Sequence, residues 1–166
     1  MNGIIIYSIA NEPIKLNVDS LEHSNLDNLD LHRAILNKKN LCGASLSGTN
    51  LRGAELREAN LSRANLTSAL LMVTMLERSI LESSNLTNAK LTGAILRNAN
   101  LNNANLVGAD VWKTDFKDAK LMGANMMCER IQDCLLEGAL FDDNTVWPLG
   151  FDPLEYGAIK VGDKHS

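Results

Sequence analysis

Every fifth residue from Leu21 to Val146 is apolar, 26 positions in an unbroken series. Leucine fills it from Leu21 to Leu106. Val111, Phe116, Leu121, Met126, Ile131, Leu136, Phe141 and Val146 complete it. A second column lies two residues earlier and is small throughout its middle, from Thr49, Ala54 and Ala59 to Ala119 and Ala124. A third lies one residue before the leucine and favours Asn or Asp, as at Asn60, Asn65, Asn85, Asn100, Asn105, Asp110 and Asn125.

A period of five excludes the usual elements. On an α-helix five residues advance about 500°, so successive leucines would smear around every face. On a flat strand five is odd, so they would alternate between faces. The leucines share one side only if the chain turns once per repeat, always in the same sense. Coils stacked this way pair backbone to backbone about 4.8 Å apart. The small residue takes the inner corner, where a larger side chain would collide with the adjacent coils.

The repeat units, such as Ala59-Asn60-Leu61-Ser62-Arg63 and Ala99-Asn100-Leu101-Asn102-Asn103, resemble those of the pentapeptide-repeat family. The resemblance covers 21–146. It implies an all-β fold, a right-handed quadrilateral β-helix, with four repeats to a coil. The body is then on the order of 30 Å tall. The segment Thr145-Val146-Trp147-Pro148-Leu149-Gly150-Phe151-Asp152-Pro153 is similar to the C-terminal ends of many cyanobacterial members.

The chain divides into an N-terminal cap over 1–20, the repeat body over 21–146 and a C-terminal cap and tail over 147–166. Open rod ends need caps. Ile4, Ile5, Ile6, Ile9, Ile14, Leu16 and Val18 serve one end, and Trp147, Leu149, Phe151, Tyr156 and Ile159 the other. Asp152-Pro153-Leu154-Glu155 reads as a short helix start. Leu29, Lys39 and Glu129 interrupt the small column and predict a bulge or an opened corner. No Pro falls between 21 and 146, which fits backbone N–H groups used in ladders.

Composition narrows the function. The 166 residues carry 20 acids against 16 bases, and 15 of those acids and 13 of those bases fall within 21–146. The low pI, about 5.3, argues against nucleic-acid binding by bulk electrostatics. No stretch has the length of a membrane span, and the start lacks a basic signal region. Three cysteines without a signal read as reduced thiols in a cytoplasm. Cys134 falls in the inward column, and Cys42 and Cys128 are expected to point outward. His23, His32 and His165 do not cluster with them at metal-ligand spacing. We expect no catalytic residue, cofactor, metal or small-molecule substrate. A core filled by its own leucines leaves no substrate cavity.

Function must then lie on the outer columns. Asn65, Asn85, Asn105 and Asn125 are expected to form a self-satisfied amide ladder. Arg57, Glu77, Arg97 and Lys117, beside Glu58, Arg78, Asn98 and Asp118, read as a solvated, self-paired surface. Leu70, Met72, Val73, Met75, Ile80, Ile95 and Trp112 take outward slots. Of these, Leu70, Met72, Val73, Met75, Ile95 and Trp112 form the candidate partner-binding site, for a protein partner or a second copy of the chain. Two alternatives remain. One is a DNA-mimic modulator of DNA gyrase, which the family resemblance implies. A small net charge is, however, a poor copy of a duplex with one charge per ~1.7 Å. The other is a passive spacer with its contacts in the terminal segments.

Overall fold

The computed structural model describes residues 3–162. Met1, Asn2 and 163–166, with His165 among them, lie outside the described residues. Parallel bridges join residues twenty apart into four ladders. Side one carries Asn25, Ser45, Asn65, Asn85, Asn105 and Asn125. Side two carries Asp30, Asn50, Leu70, Lys90 and Asp110. Side three carries Ile35, Glu55, Met75, Ile95, Asp115 and Leu135. Side four carries Asn40, Asn60, Ile80, Asn100, Lys120 and Leu140. The body is a right-handed quadrilateral β-helix, with no α-helix among the described residues.

One repeat shows why the chain turns as it does. Asn65 N donates to Ala44 O, Leu66 N to Asn85 O and Ser68 N to Thr87 O, which ties the repeat to the coils on either side. Ala69 N donates back to Leu66 O and closes the turn. Thr67 N is left over, and Asn65 Oδ1 accepts it at 3.2 Å. Buried backbone donors need partners, and a short Asx side chain supplies one two residues on. This is why Asn and Asp precede the leucine. The same bond recurs from Cys42 N to Asn40, Ser62 N to Asn60, Thr87 N to Asn85 and Asn102 N to Asn100.

The leucine column and the Ala column fill the interior. Where Thr replaces Ala, its hydroxyl donates to a carbonyl of the preceding coil: Thr49 to Leu26 O, Thr74 to Leu51 O and Thr114 to Leu91 O. Ser79 and Ser84 donate instead within their own turn, to Leu76 O and Leu81 O.

Two register shifts correct the sequence reading. Asp110 bridges Glu129, one residue early, so Cys128 packs against the core and Glu129 moves out to the ladder. The expectation that Cys128 points outward is therefore wrong. Further on, Asn125 bridges Val146, one residue late. Thr145 is buried and Val146 is 47% exposed, so the inward series ends at Phe141. The extra residue is held in a turn by Asp142, which accepts from Gly123 N, Asn144 N and Thr145 Oγ1. Lys39 opens to solvent on the first coil, although its turn bond to Leu36 O is intact. Leu29 packs half-buried against the core.

The antiparallel pair β1 (Ile4–Ile6) and β2 (Ile14–Leu16) lies at the first coil. It is joined there by Ile35 N to Tyr7 O and by Ile9 N to Arg33 O. Ile6 is buried and Ile4, Ile14 and Leu16 pack on the core, but Ile5 and Ile9 are exposed because the hairpin turns them outward. At the other end β3 (Leu140–Phe141) pairs in parallel with β4 (Ile159–Lys160). A row of rings, Phe141, Trp147, Phe151 and Tyr156, packs beside them. Leu149 and Ile159 are exposed and do not join that cap. Pro153–Tyr156 forms a 3-10 turn whose Leu154 N is accepted by Asp152 Oδ1.

Candidate functional site

The corner between sides two and three is built from 31–34, 51–54, 71–74, 91–94 and 111–114. At each corner the second of the two outer residues adopts a left-handed backbone, and this holds without exception from His23 to Gly123. Most of these residues are Gly, Asn, Asp, Ser, Lys or Arg. Val73, at φ 56°, is the β-branched one. A β-branched side chain in that region is strained.

Val73 is also 55% exposed. It lines a shallow cavity of about 430 Å³ with His32, Arg33, Arg52, Gly53 and Met75. Met75 and Ile95 are neighbouring rungs of side three, both half-buried. Leu70 is half-buried on side two between Asn50 and Lys90. Met72 stacks between Arg52 and Thr92 on the corner. Trp112 stands beyond Thr92, and its indole is taken by Lys113 Nζ at 4.5 Å and the Arg130 guanidinium at 5.4 Å. Val73 and Met75 therefore share one cavity and Ile95 lies on the rung beyond Met75, outside its lining, whereas Trp112 is separated by a coil bearing Thr92 and Gly93.

The apolar rungs have a second effect. Leu70 and Lys90 cannot cap the residue two places on, so the N–H groups of Met72 and Thr92 donate to no group among the described residues. The corner thus combines apolar surface with open donors. Arg33 and Arg52, which sequence reasoning did not select, add charge to it. Their side chains make no ion pair or hydrogen bond among the described residues. The neighbouring acids are engaged elsewhere. Asp30 accepts from Asn50 Nδ2 at 2.8 Å, and Glu55 accepts from Asn37 Nδ2 at 2.7 Å.

Other surfaces carry more internal pairing, although Arg63 and Arg78 also make no ion pair and the N–H groups of Glu77, Glu82 and Arg97 likewise donate to no protein group among the described residues. The amides of side one do not bond one another as expected. They alternate with threonines: Asn105 Nδ2 donates to Thr87 Oγ1, Thr87 Oγ1 to Asn85 Oδ1, Asn85 Nδ2 to Thr67 Oγ1 and Thr67 Oγ1 to Asn65 Oδ1. An amide reaches the hydroxyl of the next coil more directly than it reaches a parallel amide. On the charged corner Arg57 pairs with Glu77 and Glu55, and Lys117 with Glu137. Arg97 turns aside to Asp115 at 2.6 Å.

Burial pushes the thiols of Cys128 and Cys134 up to about 12. Among the described residues no group of His, Cys, Asp and Glu could hold a metal ion. No helix among them is long and apolar enough to cross a membrane.

Eight copies of the model for pentapeptide repeats match residues 40–71 and 99–126. The chain is 27% identical to a pentapeptide repeat protein from the Arabidopsis thaliana thylakoid lumen, over 60% of this chain and 69% of that one, with a TM-score of 0.58. It is 32% identical to HetL of Nostoc sp. strain PCC 7120, a pentapeptide repeat protein involved in heterocyst differentiation regulation. That match covers 75% of this chain and 56% of HetL, with a TM-score of 0.45. A further pentapeptide repeat protein from Nostoc PCC 7120 is 33% identical over 64% of this chain and 84% of its own length, with a TM-score of 0.35. Among curated proteins none matches the chain. The matched repeats agree with the ladders described above, and the chain belongs to the pentapeptide-repeat family.

Proposed function

We propose that this chain is a rigid, non-enzymatic interaction module that binds a protein partner or a second copy of itself through the corner between sides two and three. The observation that carries this reading is Val73. A strained apolar residue at an exposed turn, where the other turns use glycine or polar residues, costs stability without helping the core. Leu70, Met72, Met75 and Ile95 lie around it on the same corner and its flanking sides, and Trp112 stands on that corner two coils on. In this reading 1–20 and 147–166 close the two ends of a 21–146 body. Three free cysteines support a reducing, cytoplasmic setting.

The gyrase-directed DNA mimic needs a continuous acidic stripe. Interleaved pairs at Arg57–Glu77, Arg97–Asp115 and Lys117–Glu137 work against one, as do the open cations at Arg33 and Arg52. The test is Met75→Glu with Ile95→Glu. Loss of partner association or of self-association in sedimentation, at unchanged β-sheet circular dichroism, supports the module. Unaltered behaviour in both overturns it.

A further inference from the structure

We propose that the corner cavity takes a short acidic segment of a partner protein, its carboxylates on Arg33 and Arg52 and its apolar side chain on Val73 and Met75. This rests on the interaction reading above and adds the chemistry of the partner. Charge complementarity chooses the occupant. Arg33 and Arg52 line the cavity with no anion of their own, since Asp30 and Glu55 bond elsewhere. Guanidinium groups bind carboxylates in paired, planar fashion. No protein group accepts the N–H groups of Met72 and Thr92, and an extended segment offers carbonyls that can replace solvent there.

Geometry sets the length. Arg33, Arg52, Val73 and Ile95 lie on successive coils, three steps of about 4.8 Å, so the track is ~14 Å long and suits roughly four extended residues. Gly53 keeps the cavity open at the Arg33 end, where an added Cβ would stand 3.3 Å from Arg33 Cγ. A second copy fits less well. A twofold contact of this corner with itself would bring two sets of the same cations into one interface.

The probe is a fluorescent octapeptide with two aspartates followed by three leucines, titrated against the full chain at low salt. A twin carries asparagines in place of the aspartates. The acidic peptide should bind at least tenfold tighter than the twin. Arg33→Gln with Arg52→Gln should erase that difference at an unchanged melting temperature. Equal binding of the twins, no binding of the acidic peptide at millimolar concentration, or a preference that survives the double Arg variant overturns the proposal. So does displacement of the peptide by inorganic phosphate at equal concentration, which marks a bare anion site. If the twins bind equally and Met75→Glu with Ile95→Glu abolishes both, the apolar reading stands and the acidic one falls.

Discussion

Asn85 Nδ2 donates to Thr67 Oγ1 at 3.0 Å, from one coil to the next. Thr67 in turn donates to Asn65 Oδ1, so the hydroxyl links two coils and its own turn. Thr67→Val keeps the shape and removes both bonds, and should lower stability by about 1–2 kcal/mol. The urea midpoint checks this. Thr92→Val loses only the single long bond from Thr92 Oγ1 to Asp110 Oδ2, at 3.3 Å, and should shift the midpoint less.

The period of five was legible because each inward leucine is fixed by the same turn, and any slip would send the next one into solvent. The small column was legible for the same reason, since no larger side chain fits at Ala94 or Ala99, both fully buried. The two register shifts were not. Skipping a residue near Cys128 and adding one near Thr145 leave an apolar residue at every fifth position, and the spacing cannot tell which one turns inward. The apolar half of the candidate site was visible as apolar residues in outward slots. Its cationic half was not, because Arg33 and Arg52 look like any paired arginine until Asp30 and Glu55 are seen to turn away.

Burial separates the thiols. With pKa values pushed to about 12, Cys128 and Cys134 are thiolate to roughly one part in ten thousand at pH 8. Cys42 sits half-exposed at a corner on the opposite side of the rod from the cavity. Titration of the native chain with a disulfide reagent at that pH should release one fast equivalent, and three in denaturant. Two or more fast equivalents in the native state would contradict the inward placement of Cys128.

Arg130 reaches back one coil to grip Asp110, donating from Nε to Oδ1 and from Nη2 to Oδ2. Burial alone would raise the Asp110 pKa, but the Arg130 bonds and the Trp112 N–H outweigh it and hold the carboxyl below its usual value. A depressed carboxyl contributes stability that is whole above the unfolded value, about 3.9, and is lost as pH falls through the folded one. Arg130→Gln should therefore cost about 1 kcal/mol at pH 7, a modest figure because the arginine is partly exposed. The gap to the parent chain should close below about pH 3. A gap that stays constant from pH 7 to about pH 2 would show that the ion pair is not its source.

Val73 joins strain to function, so relieving one should damage the other. Glycine has no Cβ to clash at positive φ, and Gly53 and Gly93 already occupy the same turn on the neighbouring coils. Val73→Gly should raise stability by about 1 kcal/mol, since the strain it removes exceeds the extra entropy of the unfolded glycine. The same change removes the apolar wall of the cavity, so affinity for the acidic octapeptide should fall severalfold. Arg78→Gly, at the equivalent turn on the next corner, supplies the control. It should leave peptide binding where it was. Thermal melts and anisotropy titrations on the two variants read both quantities together. A Val73→Gly chain that is more stable and binds as before would place the partner elsewhere on the rod. One that is less stable would mean that Val73 packs where the backbone angle says it strains.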